Sequence, residues 1–175
     1  MIELLVLYIL TKRDFTMYAI HKMIIGEFSS FTRPSFGAIK PALTRLEVNG
    51  FITSRKMMSE GGKLSVFYSI TKDGKAELSR LLVEELSENP LQFLSNARVK
   101  LSCAEYLSSE QKQEMFFHLK SLAMKFKVDA QNILDDEYNK LSFYQKIILD
   151  NAVCEYANLI TIIEGFEKDN AGNSK

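Results

Sequence analysis

One switch in hydrophobic period constrains this chain more than any other feature. From Leu64 to Ile70 apolar residues alternate, with Leu64, Val66, Tyr68 and Ile70 on one side. Phe51-Ile52-Thr53-Ser54-Arg55 begins a matching β-like run, and Ser59-Glu60-Gly61-Gly62-Lys63 between the two reads as a hairpin tip. On both sides of this hairpin the apolar residues recur at helical spacing instead. The chain therefore reads as mainly α, with one two-stranded β-wing set among helices.

Before the hairpin, Ile2, Leu5, Val6 and Ile9 mark a first helix. Asp14 or Thr16 caps a second, which runs to about Ile25 and is ended by Gly26. After a loop through Phe31-Thr32-Arg33-Pro34, Ser35 caps a third helix from Phe36 to Asn49, and Asn49-Gly50 stops it. Ile39, Ala42, Leu43 and Leu46 share one face of that helix, and Gly37, Lys40, Pro41 and Thr44 the other. Pro41 removes a backbone donor and crowds the carbonyl of Gly37, whose lack of a side chain gives the backbone freedom to absorb it. After the hairpin, Thr71 caps a fourth helix that runs to about Ser87.

Glu88-Asn89-Pro90 marks a boundary, giving domains at 1–87 and 88–169 and a frayed tail at 170–175. Beyond it three helices are expected: Leu91 to Tyr106, a long one capped at Ser108 and running to Asn139, and a last one from Ser142 to Lys168. Met115, Leu119, Leu122, Phe126 and Ile133 form a stripe on the long helix. On the last helix Tyr144, Ile147, Ile148, Cys154, Leu159, Ile162, Ile163 and Phe166 cover more than one stripe, which a short domain cannot bury alone. A two-fold homodimer is the expected solution.

No apolar stretch reaches the length of a membrane span, and the start of the chain lacks the pattern of a signal peptide, so a cytoplasmic protein with no membrane contact is expected. Cys103 and Cys154 then stay reduced, and both read as buried structural thiols. His21 and His118 stand apart from any Cys, Asp or Glu at ligand spacing, so no metal and no cofactor are expected. Without a nucleophile–base pair or a Gly-rich phosphate loop, the chain does not read as an enzyme.

Charge divides the chain. Residues 1–80 hold 12 Lys/Arg against 7 Asp/Glu, and residues 81–175 hold 10 against 15. The basic half points to a polyanion, here double-stranded DNA. The order helix, helix, helix, hairpin, helix is the winged helix-turn-helix plan, with the third helix in a major groove and the wing on the backbone or minor groove. Thr32, Arg33 and Ser35 sit where the start of that helix favours phosphate. Lys40 can reach a guanine edge or a phosphate, and Thr44 a thymine methyl. Phe36, Gly37 and Arg45 complete the candidate set on this helix. Tyr18, His21 and Lys22 of the second helix can face the DNA backbone, although each histidine taken alone reads as a packing residue. Arg55, Lys56 and Lys63 flank the hairpin, and Gly61 and Gly62 let its tip lie close to the sugar-phosphate chain.

These residues carry a resemblance. Thr16-Met17-Tyr18-Ala19-Ile20, the run Ser35 to Glu47 followed by Asn49-Gly50-Phe51-Ile52, and Gly61-Gly62-Lys63 with Phe67 to Leu78 resemble the PadR family of winged-helix transcriptional regulators. The likeness covers about residues 1 to 80 and includes Pro41 at the matching place. It implies a DNA-binding transcriptional regulator, by family habit a dimeric repressor, paired through C-terminal helices and released by a small hydrophobic or aromatic effector. Lys40 departs from the family's usual tyrosine, so the operator does not carry over. The wing also departs, because Leu64-Ser65-Val66 replaces basic sequence. Two other readings compete: a winged-helix protein-interaction module without specific DNA binding, and a MarR-like regulator, against which the short run before the first helix speaks.

Overall fold

The computed structural model describes residues 1–58, 62 and 64–172 of the 175. They form seven α-helices and one three-stranded antiparallel sheet. The helices are α1 (Ile2–Leu10), α2 (Met17–Phe28), α3 (Phe36–Val48), α4 (Lys72–Val83), α5 (Pro90–Ser102), α6 (Ser109–Asp135) and α7 (Phe143–Gly172). The strands are β1 (Phe15–Thr16), β2 (Ile52–Met58) and β3 (Leu64–Ile70), in the order β1-β3-β2. Two compact units result. The first comprises Met1–Glu84 and Arg98–Tyr106, and the second Glu85–Ala97 and Leu107–Lys175.

In the first unit α1 is the hub. Every residue from Leu4 to Leu10 is buried. The spacing Ile2, Leu5, Val6, Ile9 predicts a one-sided helix, but a helix apolar all round belongs inside, and α2, α3 and α4 all pack on it. The Tyr8 hydroxyl, held inside this cluster, donates to Glu105 Oε1 at 2.9 Å. Burial and that carboxylate both raise the phenol's pKa. Cys103 is buried as expected, and its thiol is pushed up to about 12, chiefly by burial.

The sheet holds a strand that the alternation does not reveal. Phe15 pairs with Tyr68 and Thr16 with Phe67, so β1 covers the edge of β3 opposite β2. Two residues are too few to show a period. Other boundaries move by a few residues. α2 runs through Gly26 to Phe28, α4 stops at Val83, and α6 stops at Asp135. The last helix continues past Lys168 to Gly172, where Asn170 is buried and its side-chain amide donates to the Ser109 carbonyl at 3.0 Å. The end of the expected tail, 173–175, lies outside the described residues.

The joint between α3 and β2 fixes the wing. Gly50 follows the helix with φ +75°, the Gly50 N–H donates to the Glu47 carbonyl at 3.0 Å, and the Phe51 N–H donates to that of Leu46 at 2.9 Å. This doubly bonded end needs the left-handed conformation that glycine adopts without strain. Thr71 then caps α4, accepting from the Gly74 N–H at 3.0 Å while its hydroxyl faces the Gly50 and Phe51 carbonyls.

The second unit is an antiparallel pair, α6 against α7. Phe116 stacks on Phe166, Lys120 bonds Glu167 at 2.6 Å, and Phe126 meets Tyr156 with ring centroids 5.6 Å apart. Phe93 of α5 lies edge-on to Phe126, at 5.2 Å. A Ser108–Gln111 capping box starts α6. Only Tyr156, Leu159, Ile163 and Asn170 of α7 are buried. Tyr144, Ile147, Ile148, Ile162 and Phe166, expected in an apolar stripe, are exposed, as is Ile133 of α6. Cys154 is exposed too, against the expectation of a buried thiol, because it falls on the side of α7 turned from α6.

Candidate nucleic-acid interface

The interface is built on α2 and α3. The Ala19 N–H donates to Thr16 Oγ1 at 3.3 Å, which starts α2. Ser35 precedes α3 in extended backbone, φ −66° and ψ 153°, but its hydroxyl makes no capping bond within the chain. The first N–H groups of α3 and an exposed hydroxyl are thus presented together, which is how a helix start receives a phosphate.

His21 sets this entrance. Its Nε2 donates to the Pro34 carbonyl at 3.2 Å, and its ring meets that of Phe36 edge-on at 5.4 Å. The residue expected to face the DNA backbone is instead spent on holding α2 against the start of α3. Tyr18 and Lys22 of the same helix are exposed.

Along α3, Ile39, Ala42, Leu43 and Leu46 are buried, while Gly37, Lys40, Pro41 and Thr44 are exposed. These four positions lie three, four and seven residues apart and form one outward row. Pro41 is accommodated in an unbroken helix. Gly37 lies on the outward face of this helix. Its φ is not left-handed, and a Cβ there would meet nothing nearer than Ser35 Oγ at 4.0 Å. The missing side chain leaves open space outward instead. Thr44 Oγ1 donates to the Lys40 carbonyl at 3.1 Å, so the hydroxyl is engaged within the helix.

Arg45, exposed on the same helix, is ion-paired. Its Nε lies 2.5 Å from Glu3 Oε1, which clamps α3 to α1. Arg55 is likewise bonded to Asp14 at 2.5 Å. Arg33 Nε donates to the Ser29 carbonyl at 3.2 Å, which anchors the side chain without neutralising it. Among the described residues, Lys22, Arg33, Lys40 and Lys56 make no ion pair. Thr32 is half-buried beside them. On the wing Gly62 is exposed with φ +71°, whereas Gly61 and Lys63 lie outside the described residues. No group of three or more His, Cys, Asp or Glu suited to a metal occurs among the described residues, and no helix is long and apolar enough to cross a membrane.

Residues 6–80 match the model of the transcriptional regulator PadR-like family. This part of the chain belongs to that family. PadR-like proteins are transcriptional regulators and not enzymes, and the winged helix-turn-helix described above is the part of this chain that matches. Among solved structures, a PadR family transcription regulator from hypervirulent Clostridium difficile is 34% identical, the match covering 44% of this chain and 78% of that one with a TM-score of 0.39. Bacillus subtilis PadR in complex with operator DNA is 20% identical over 96% of this chain and 98% of that one, with a TM-score of 0.44. The same protein in complex with p-coumaric acid is 20% identical over 97% and 94%, with a TM-score of 0.39. No curated protein matches the chain.

Two features escaped the sequence reading. The ion pairs that remove Arg45 and Arg55 from the free cations join residues about 40 apart, and nothing local signals them. The wing carries exposed Met57, Met58, Leu64 and Val66. Its weakly basic composition was the visible trace of that surface.

Proposed function

We propose that this chain is a dimeric, sequence-specific DNA-binding repressor. In it 1–87 serves as the DNA-binding domain and 88–169 as the dimerisation domain. The outward row Gly37–Lys40–Pro41–Thr44, free of ion pairs among the described residues and flanked by Arg33 and Lys22, carries this reading. Gly37 admits a phosphate or sugar close to the helix, and Lys40 supplies a cation that can also meet a guanine edge. Ser35 and Thr32 add hydroxyls at the positive end of α3, and Tyr18 and Lys22 lie against the backbone. A location in the cytoplasm, with the DNA, follows.

The dimer rests on a second observation. Phe143, Tyr144, Ile147, Ile148 and Ile162 are exposed along α7, more apolar surface than an isolated helix pair normally leaves in water. A two-fold partner would cover it and set two α3 helices about one DNA turn, ~34 Å, apart. An apolar groove of about 470 Å³ between the end of α6 and the start of α7, lined by Ile133, Leu141, Tyr144 and Ile148 among others, is of a size to seat a small hydrophobic or aromatic effector that releases the DNA.

The test is fluorescence anisotropy over a panel of labelled duplexes drawn from a random-sequence selection. Arg33→Ala should weaken binding to every duplex alike and reduce the salt slope by about one. Lys40→Ala should also reorder the panel. An order that survives Lys40→Ala removes Lys40 as a reader. Indifference of the wild type to sequence and salt supports the protein-interaction module instead.

A further inference from the structure

We propose that a cavity of the second unit, formed where residues 85–88 lie over α6, binds small organic cations, an ammonium group carried on an apolar body. Its lining differs from that of the groove between α6 and α7, and the DNA-binding reading is not needed for it.

The cavity begins with helical spacing. Phe117, His118, Ser121, Leu122 and Lys125 recur three, four and seven residues apart and so share one side of α6. The segment 85–88 is tied to that side at two places. Glu88 is ion-paired with Lys125, and Glu85 Oε1 stands 3.6 Å from His118 Nε2. On the helix these ties are about two turns, ~10 Å, apart. Leu86 and Leu122 lie between them, and the space left is a cavity of about 220 Å³.

Charge decides what this space takes. The Glu88 carboxylate is answered by Lys125. The Glu85 carboxylate faces an imidazole beyond hydrogen-bond distance, so its charge is not cancelled at contact. Two carboxylates against one lysine leave the lining negative whenever His118 is neutral. The Phe117 ring is 65% exposed and lies edge-on to the His118 ring, with centroids 5.9 Å apart, which sets it at the Glu85 end. An open aromatic ring near an under-compensated carboxylate is the combination that holds an ammonium, the ring through its quadrupole and the carboxylate through its charge. Leu86 and Leu122 offer a wall for an apolar body. An anion would meet the Glu85 carboxylate and find only a lysine that is already paired.

The chain has two histidines, and His21 lies in the first unit, so the His118 ring reports on this cavity by itself. The experiment titrates the full chain, labelled with carbon-13 at histidine, with benzyltrimethylammonium at constant ionic strength and follows the ring signals by NMR. The His118 signals should shift and saturate, with a Kd on the order of millimolar for so small a probe, while those of His21 stay fixed. Phenylacetate, with the same ring and the opposite charge, should leave His118 unshifted. Glu85→Gln should weaken the probe about threefold to fivefold, and Phe117→Leu about twofold to fivefold. Both side chains are exposed, so the helical circular dichroism should match the wild type. No saturable shift at His118 overturns the proposal. An equal response to phenylacetate also overturns it, since the cavity would then select apolar bodies without regard to charge. Full affinity in Glu85→Gln overturns it as well, because the carboxylate would not be the anchor. No duplex enters the experiment, so failure of the DNA-binding reading leaves each result unchanged.

Discussion

Replacing Gly74 by alanine should destabilise the N-terminal unit by about 2–4 kcal/mol. Gly74 is the third residue of α4 and is buried. A Cβ on it would lie 2.0 Å from the Phe51 carbonyl oxygen and 2.9 Å from Ile70 Cγ1, where ordinary contact begins near 3.4 Å. The oxygen cannot withdraw freely, because it accepts from the Thr71 N–H and from the Thr71 hydroxyl, each at 3.0 Å. Separating α4 from this turn stretches both bonds, at roughly 1 kcal/mol apiece. Crowding of a packed site adds about 1–3 kcal/mol, and alanine in a helix returns about 1 kcal/mol. For a unit of fewer than a hundred residues that is a fall of ~10–25 °C in midpoint, measurable by scanning calorimetry. Gly26→Ala is the paired control. It lies within α2 with nothing inside 4 Å of the added carbon, so it should be neutral or stabilise by up to about 1 kcal/mol. If Gly74→Ala melts with the wild type, the close approach of α4 to the β2 lead-in does not exist as described.

Lys100 is only 3% exposed and donates to the Glu84 carbonyl, and burial holds its amine down to about 8. The unfolded chain keeps that proton up to about pH 10.4, so Lys100's contribution to stability should rise with pH between those values. Cys103, pushed up to about 12 in the folded chain, works in the opposite direction above its unfolded pKa of about 8.5. The difference between wild type and Lys100→Met in urea melts isolates the lysine, and a difference that stays flat from pH 8 to 10 contradicts its burial as an ammonium. Native Cys103 should resist iodoacetamide and become reactive only in denaturant, so its rapid alkylation in the native state would refute the burial. Ile162→Glu should halve the mass measured by sedimentation while leaving the helical circular dichroism intact, and an unchanged dimer would place the pairing surface elsewhere.

The legible parts of the fold are those with a local signature. The alternation in Leu64–Ile70 gave β3 at its observed bounds, and Ser35, Thr71 and Ser108 each stand at the helix start expected of them. Strand β1 was invisible because two residues carry no period, and its pairing partner lies some fifty residues away. Gly26 looked like a helix stop, yet a glycine costs only about 1 kcal/mol inside a helix, and the burial of Ile24 and Phe28 outweighs that. The outward row of α3 followed from spacing alone. Which basic residues remain free did not, since Glu3 and Asp14 reach Arg45 and Arg55 only once the chain has folded. On α7 the periodicity showed which residues are apolar but not which of two stripes meets α6, and so Cys154 was assigned to the wrong side.

An outward row on α3 that carries the unpaired Lys40, flanked by Lys22 and Arg33 and doubled by a two-fold axis, is proposed here to bind duplex DNA. The most direct measurement is the affinity of the full chain for its selected duplex as a function of salt, with the complex mass determined by sedimentation. The account predicts two chains per duplex and an affinity that falls linearly on logarithmic axes, steeply enough to report several phosphates released per dimer. A shallow slope near zero, or one chain per duplex with full affinity, would contradict it.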